Sequence, residues 1–128
     1  MARPKSAKAR KQRKYVRFAP LHIRRKLIAA HLSDDLRKQY GARALPIRKG
    51  DEVVVMRGKF RKKSGKITRI DTEKYRVYVE GAVIKRTDGT ERQAGLHASN
   101  LLVTKLALED KRRAASLEKH KPAAKKVK

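Results

Sequence analysis

Between residues 50 and 105 the apolar side chains come in short bursts separated by turn formers. Val53 to Met56 and Lys66 to Ile70 read as two strands, with Asp71-Thr72-Glu73-Lys74 as the turn that follows. Tyr75-Arg76-Val77-Tyr78-Val79-Glu80 alternates with a period of two, which puts Tyr75, Val77 and Val79 on one face. Gly81 marks a break. Ala82 to Arg86 and Thr90 to Ala94 flank Thr87-Asp88-Gly89, and Asp-Gly between such runs predicts a hairpin with a type I′ turn, whose two central residues need positive φ. Leu101 to Thr104 completes five or six short strands within about 55 residues, the density of a small barrel.

The flanks read differently. Residues 1–19 hold eight cations and no acid, with Tyr15, Val16 and Phe18 as the apolar positions near their end, so an arm that is disordered alone is expected there. Pro20 suits a first helical turn, and Leu21, Leu27 and Ile28 around Arg24-Arg25-Lys26 give a short amphipathic helix. Ser33 is a good N-cap for a second helix, Asp34 and Asp35 favour its positive end, Leu36 and Tyr40 share a face, and Gly41 is a stop. Residues 42–49 are expected to be an extended linker. Residues 106–119 read as a C-terminal helix, with Glu109 four before Arg113 as a supporting pair, and Pro122 ends it before a basic tail. The organisation is then a basic arm over 1–19, short helices and linker over 20–46, a barrel over 47–105, and a helix and tail over 106–128. The fold class is mainly β.

Charge changes what such a barrel is for. The 128 residues carry 37 Lys and Arg against 12 Asp and Glu, a net +25, with no Trp and six Phe and Tyr, so the core is small and the partner is a polyanion. Nucleic acid is the leading class. A membrane-lying helix needs a wide apolar face, which no segment offers over several turns, and no run reaches the length of a membrane span. The absence of cysteine removes disulfides and thiolate metal sites and fits a reducing compartment, and the start of the chain carries no apolar leader. Neither secretion nor membrane insertion is expected.

The charge is concentrated where chemistry would use it. "RGKFRKKSGK", residues 57–66, puts Arg57, Lys59, Arg61, Lys62, Lys63 and Lys66 in a connection with no acid, and Gly58 and Gly65 allow positive φ or close backbone approach. Solvated surfaces usually mix signs, so a finger lying along phosphates is expected. His22, Arg24, Arg25 and Lys26 fan around the first short helix, an arrangement suited to burial among RNA strands. "GLHASN" is able to bring His97, Ser99 and Asn100 together on a loop, either as hydrogen-bonding groups for phosphate or ribose or as a structural turn. The histidines His22, His31, His97 and His120 match no compact metal spacing. There is no G-x-S-x-G, no Walker loop and no H-E-x-x-H, so neither an enzyme, a cofactor nor a small-molecule substrate is expected. A free RNA-binding regulator and a DNA packer remain as rival readings of the residues alone.

Residues 47–81, "IRKGDEVVVMRGKFRKKSGKITRIDTEKYRVYVEG", resemble a KOW motif in the Gly-Asp-x-Val run, the paired glycines and the apolar-Asp step after the second strand. With "FAPLHIRRKLIAAHLSDDLRKQYGARALPIRKGDEV" upstream and "VYVEG", "DGTE" and "GLHASN" downstream, residues 13–119 closely resemble the large-subunit ribosomal protein of universal family twenty-four, numbered twenty-six in eukaryotes. That resemblance implies an SH3-like barrel that binds the 5′ region of large-subunit ribosomal RNA, an early role in subunit assembly, and a place near the peptide tunnel exit beside other ribosomal proteins. It also implies a cytoplasmic ribosomal location, reached through the nucleolus in a eukaryote, and no homo-oligomer. The family's RNA-contacting loop maps onto Gly58–Gly65, its basic N-terminal segment onto Arg13–Lys26, and its Gly-x-His-Pro-Ser loop onto Gly95–Asn100. The residues expected to meet RNA are thus Arg10, Lys11, Arg13, Lys14 and Arg17 of the arm, His22 and Arg24 to Lys26, Arg48 and Lys49, the glycines and cations of 57–66, and His97, Ser99 and Asn100. Lys62 stands where many relatives have glycine, and Ala98 where proline is usual, so a different loop path and a less rigid turn are expected. The long N-terminal segment favours an archaeal or eukaryotic source over a bacterial one, and the lysine-rich tail after Pro122 favours the eukaryotic of the two.

Overall fold

The structure, a computed structural model, describes residues 3–120. The basic tail, with the Pro122 expected to end the helix before it, lies outside the described residues.

Helix α1 (Ala9–Phe18) and helix α2 (Leu21–Leu27) lead into strand β1 (Ala29–Leu32), helix α3 (Asp34–Tyr40) and strand β2 (Ala44–Pro46). Strands β3 (Glu52–Val55), β4 (Ser64–Asp71), β5 (Arg76–Lys85) and β6 (Glu91–Leu96) follow, then a 3-10 turn at Ala98–Asn100, β7 (Leu101–Lys105) and helix α4 (Lys111–His120). All seven strands share one sheet in the order β2-β1-β7-β3-β4-β5-β6. Strand β4 changes partner along its length: Ser64 to Lys66 pair with β3, and Ile67 to Asp71 pair with β5. The sheet thereby turns over one core, in which Leu32, Val53, Val55, Ile67, Val77, Val79, Leu101 and Val103 are essentially fully buried. Burying each such side chain contributes about 1.5–3 kcal/mol relative to exposure. The architecture is the expected small, mainly β, barrel-like domain.

Alternation explains which residues face inward, and a bulge explains where it slips. Val77 and Val79 point into the core, but beyond Gly81 the buried residue is Ala82, and the pairing with β6 shifts between Tyr78 and Val83. Between Tyr78 and Val83 β5 carries three more residues than β6, and an odd excess exchanges a strand's two faces. Gly81, at φ 79, supplies that bulge, so the expected break lies inside a continuous β5. Tyr75 is excluded from the strand face assigned to it: at φ 53 it is a turn residue ahead of β5. The hairpin at 87–89 is present, but only Gly89 has positive φ, at 80. Gly89 N–H donates to Arg86 O at 3.1 Å and Arg86 N–H to Thr90 O at 2.9 Å, so the loop has three residues and one left-handed glycine in place of the type I′ turn.

The flanks depart further from expectation. Residues 9–18 are helical rather than a disordered arm, and α1 is fixed to the domain through buried Tyr15 and through Tyr75, whose hydroxyl donates to Val16 O at 2.8 Å. Burial pushes the Tyr75 hydroxyl above its ordinary pKa, which favours the protonated, donating form. The linker is extended, as expected, but its Ala44–Pro46 stretch forms β2, which pairs antiparallel with β1, while β1 runs parallel to β7. Helix α3 keeps its predicted caps: Ser33 Oγ accepts from Leu36 N–H at 3.5 Å, and Gly41 takes φ 65.

Helix α4 begins at Lys111, not at 106, where Asp110 accepts from Arg112 N–H through its side chain and from Ala114 N–H through its carbonyl, and Arg113 pairs with Asp51 instead of Glu109. Asp51 is fully buried at the start of β3. Its carboxylate accepts from Arg113 Nη1 at 2.6 Å and Nη2 at 2.7 Å, and from the backbone N–H groups of Arg48 and Ala107, each at 2.9 Å. Beside it Arg48 pairs with Asp110. The Arg112 backbone N–H and the Arg48 guanidinium hold the Asp110 carboxyl below the usual carboxylate range.

Candidate nucleic-acid interface

Strand β3 ends and β4 begins at the basic connection, and both strand ends shape it. Val55 N–H donates to Lys63 O and Lys62 N–H to Val55 O, each at 2.8 Å, which closes the chain back on β3. Phe60 is buried in the core and pins the tip from inside. Around that pin Arg57, Lys59, Arg61, Lys62 and Lys63 are exposed. The finger is therefore a tight, anchored loop over 57–63, and Ser64, Gly65 and Lys66 belong to β4.

The three non-standard positions have separate causes. Gly58 has φ 94 with open space where a side chain would stand. Lys62 has φ 69, so the loop makes a left-handed bend at a residue with a side chain. Gly65 has no positive φ. A Cβ there would sit 2.6 Å from Glu80 O, so its role is close approach of β4 to β5.

The 95–100 segment sits at the same end of the sheet. Met56 N–H donates to Asn100 O at 2.8 Å, joining the loop after β3 to the turn before β7. His97 Nδ1 is 2.8 Å from Ser99 Oγ and accepts from Ser99 N–H at 3.3 Å, and both side chains are exposed. His97 and Ser99 are thus brought together as expected. Asn100 contributes its backbone to both junctions, donating to His97 O at 3.0 Å. Ala98 is buried in the first position of the 3-10 turn.

The remaining expected residues divide into two groups. His22, Arg25, Lys26, Arg48 and Lys49 line one groove, whose apolar side is made by Ile28, Ile47 and Ile70. Arg10, Lys11, Arg13, Lys14 and Arg17 are carried on α1, which docks at the other end of β4, by the 71–75 turn. Arg24 stands apart from both. Its guanidinium donates to Ala19 O and Arg17 O, each at 2.7 Å, and to Glu73 O at 3.0 Å, and it lies over the Tyr75 ring. It joins α1, α2 and the 71–75 turn, and three of its five N–H donors are committed to protein.

Sequence reasoning missed Asp51 and Arg113, the pair that fixes the groove's Arg48 end to α4. Their separation of 62 residues leaves no local signal; the only hint was an arginine at an apolar helical position. Among the described residues no His, Cys, Asp or Glu cluster is able to hold a metal, and no helix is long and apolar enough to cross a membrane.

Comparison with known proteins bears on this basic, barrel-like domain directly. The profile of a family that unites the eukaryotic L26 ribosomal proteins with their archaeal L24 counterparts matches residues 6–120. Three archaeal proteins named large ribosomal subunit protein uL24 align with it. The one from Korarchaeum cryptofilum is 45% identical over 115 residues, covering 90% of this chain and 88% of that protein. The one from Methanosphaera stadtmanae is 43% identical over 114 residues, covering 89% and 97%. The one from Saccharolobus solfataricus is 46% identical over 116 residues, covering 91% and 98%. These relatives overturn the eukaryotic leaning: a lysine-rich tail is a matter of composition, which any polyanion-binding chain can carry. By profile and by identity over nearly its whole length, the chain belongs to the uL24 family of ribosomal proteins, a structural family and not one of enzymes.

Proposed function

We propose that the chain is a structural constituent of the large ribosomal subunit that binds ribosomal RNA, and that it does so first through the end of the sheet where the 57–63 loop meets the 95–100 turn. The observation that carries this reading is the Met56–Asn100 junction: it holds five exposed cations and the His97–Ser99 pair at one end of the domain, with no acid in either segment. The groove of His22, Arg25, Lys26, Arg48 and Lys49 extends the same chemistry to the N-terminal side. Phosphates pair with such cations at little reorganisation cost because the loops are already fixed by backbone hydrogen bonds. Binding to the 5′ region of the RNA, a part in early assembly, a place near the tunnel exit beside other ribosomal proteins, and a monomeric state follow the family resemblance and belong to the same proposal.

The direct test is the triple change Arg61→Ala, Lys62→Ala and Lys63→Ala in the full chain. All three side chains are exposed, so thermal unfolding should move little, while affinity for a transcript of the 5′ region of large-subunit RNA should fall by on the order of tenfold or more at about 0.1 M salt. Unchanged affinity would refute the loop as the contact.

A further inference from the structure

Strands β5 and β6 carry a second basic surface that holds none of the residues expected above to meet RNA. Lys74, Arg76, Arg86 and Arg92 surround a depression against these strands, with Tyr78 and Ile84 among its lining and no acid in it. The topology builds it. Tyr78 is paired with Gly95 across the strands, and the Arg76 stem packs over Gly95, where a Cβ would meet three of its carbons at 3.4 Å. Arg76 Nη1 reaches Gly95 O at 3.5 Å, so this cation is laid along the sheet instead of standing off it. Beyond the Gly81 bulge Ile84 pairs with Arg92, on the strand side shared with Ala82 and Ala94, and it lines the same depression with 43% of its surface exposed. On the β4 side the Arg69 guanidinium lies 5.6 Å from the Tyr78 ring centre, and the one acid there, Glu91, is 3.9 Å from Lys85.

We propose that this face is a second RNA-binding surface, on which an unpaired strand lays its phosphates against Lys74, Arg76, Arg86 and Arg92 and a base or ribose against Tyr78 and Ile84. Charge complementarity selects a polyanion, and three of the four cations are arginines, whose planar forks match phosphate oxygens. An unpaired strand is selected over a duplex by the apolar centre. A duplex keeps its bases stacked inside and presents only backbone to a sheet, whereas an unpaired strand turns bases outward onto aromatic and apolar side chains. The domain then stands between two RNA segments, one at the 57–63 loop and one on β5 and β6. The inference rests on the RNA-binding reading above.

The experiment uses the full chain and a 4-thiouridine-substituted transcript of the 5′ region of large-subunit RNA, with the crosslinked peptides identified by mass spectrometry. Crosslinks in residues 74–86 or 91–95 are expected, in addition to any at the loop. The combined change Arg76→Ala, Arg86→Ala and Arg92→Ala should lower affinity by about tenfold and reduce the magnitude of the slope of log affinity against log salt by about 2. Should that variant lose its fold by circular dichroism, Arg92→Glu alone at its exposed position gives the same readout. Binding weakened by the loop variant but untouched by the β5–β6 variant overturns this inference and leaves the RNA reading standing. Binding untouched by both variants overturns both. Crosslinks of this face only to a protein neighbour in assembled subunits also overturn it, in favour of an acidic protein segment.

Discussion

Lys62 and Gly65 show how residue type and backbone demand come apart. At φ 69 a lysine holds a left-handed conformation that costs an L-residue roughly 1–2 kcal/mol, held in place by the Lys62 N–H bond to Val55 O. Lys62→Gly should therefore raise stability by up to about 1 kcal/mol, net of the chain entropy that glycine adds to the unfolded state, and thermal unfolding measures it. RNA affinity should fall slightly in the same variant, because one exposed cation is lost. Gly65 demands something else. Its φ is ordinary, and its substitution fails on contact: a methyl group 2.6 Å from Glu80 O must push β4 and β5 apart. Gly65→Ala should destabilise by about 1–3 kcal/mol in denaturant titration, as overpacking of a close contact does. The sequence marked Gly65 as special, but glycine spacing alone does not separate a conformational requirement from a steric one.

At the scale of elements, the short strands and the capped helix α3 were legible, and the docking of the end segments was not. Alternation in 53–55, 77–79 and 101–103 is local, and so are the Ser33 and Gly41 caps. Strand β1 was hidden because four residues, Ala29 to Leu32, follow a helix without a break, and it forms on β7, some seventy positions away. Helix α4 depends on Asp51 in the same long-range manner. Replacing Asp51 with Ala removes the acceptor of four hydrogen bonds and leaves the Arg113 guanidinium without its carboxylate. Breaking a buried pair in this way costs about 3–5 kcal/mol. Asp51→Ala is accordingly expected to lower the melting temperature sharply and to raise amide exchange in 106–118 first, since Ala107 N–H and Arg113 lose their partner together.

Over the whole molecule the net charge of +25 opposes compaction, and the domain distributes it over distinct surfaces. Cations stand on the 57–63 loop, in the α2 and β2 groove, on α1 and on the β5–β6 face. If on the order of ten phosphates are neutralised across them, log affinity should fall against log salt with a slope of about −7 to −9. A titration series with the 5′-region transcript measures this; a slope near −2 would mean that one patch alone is engaged.

Composition and periodicity were sufficient by themselves for the proposal of a polyanion partner, for the β-dense middle and for the basic loop, because charge balance and side-chain alternation are properties of neighbours along the chain. The resemblance in 13–119 named the family on the same residues. Only the folded chain decided that the N-terminal arm is a docked helix, that Arg24 faces protein, that Asp51 holds α4, and that the cations of β5 and β6 share a surface. Each of these depends on groups brought together from distant positions by strand pairing and burial, and no local pattern carries that information.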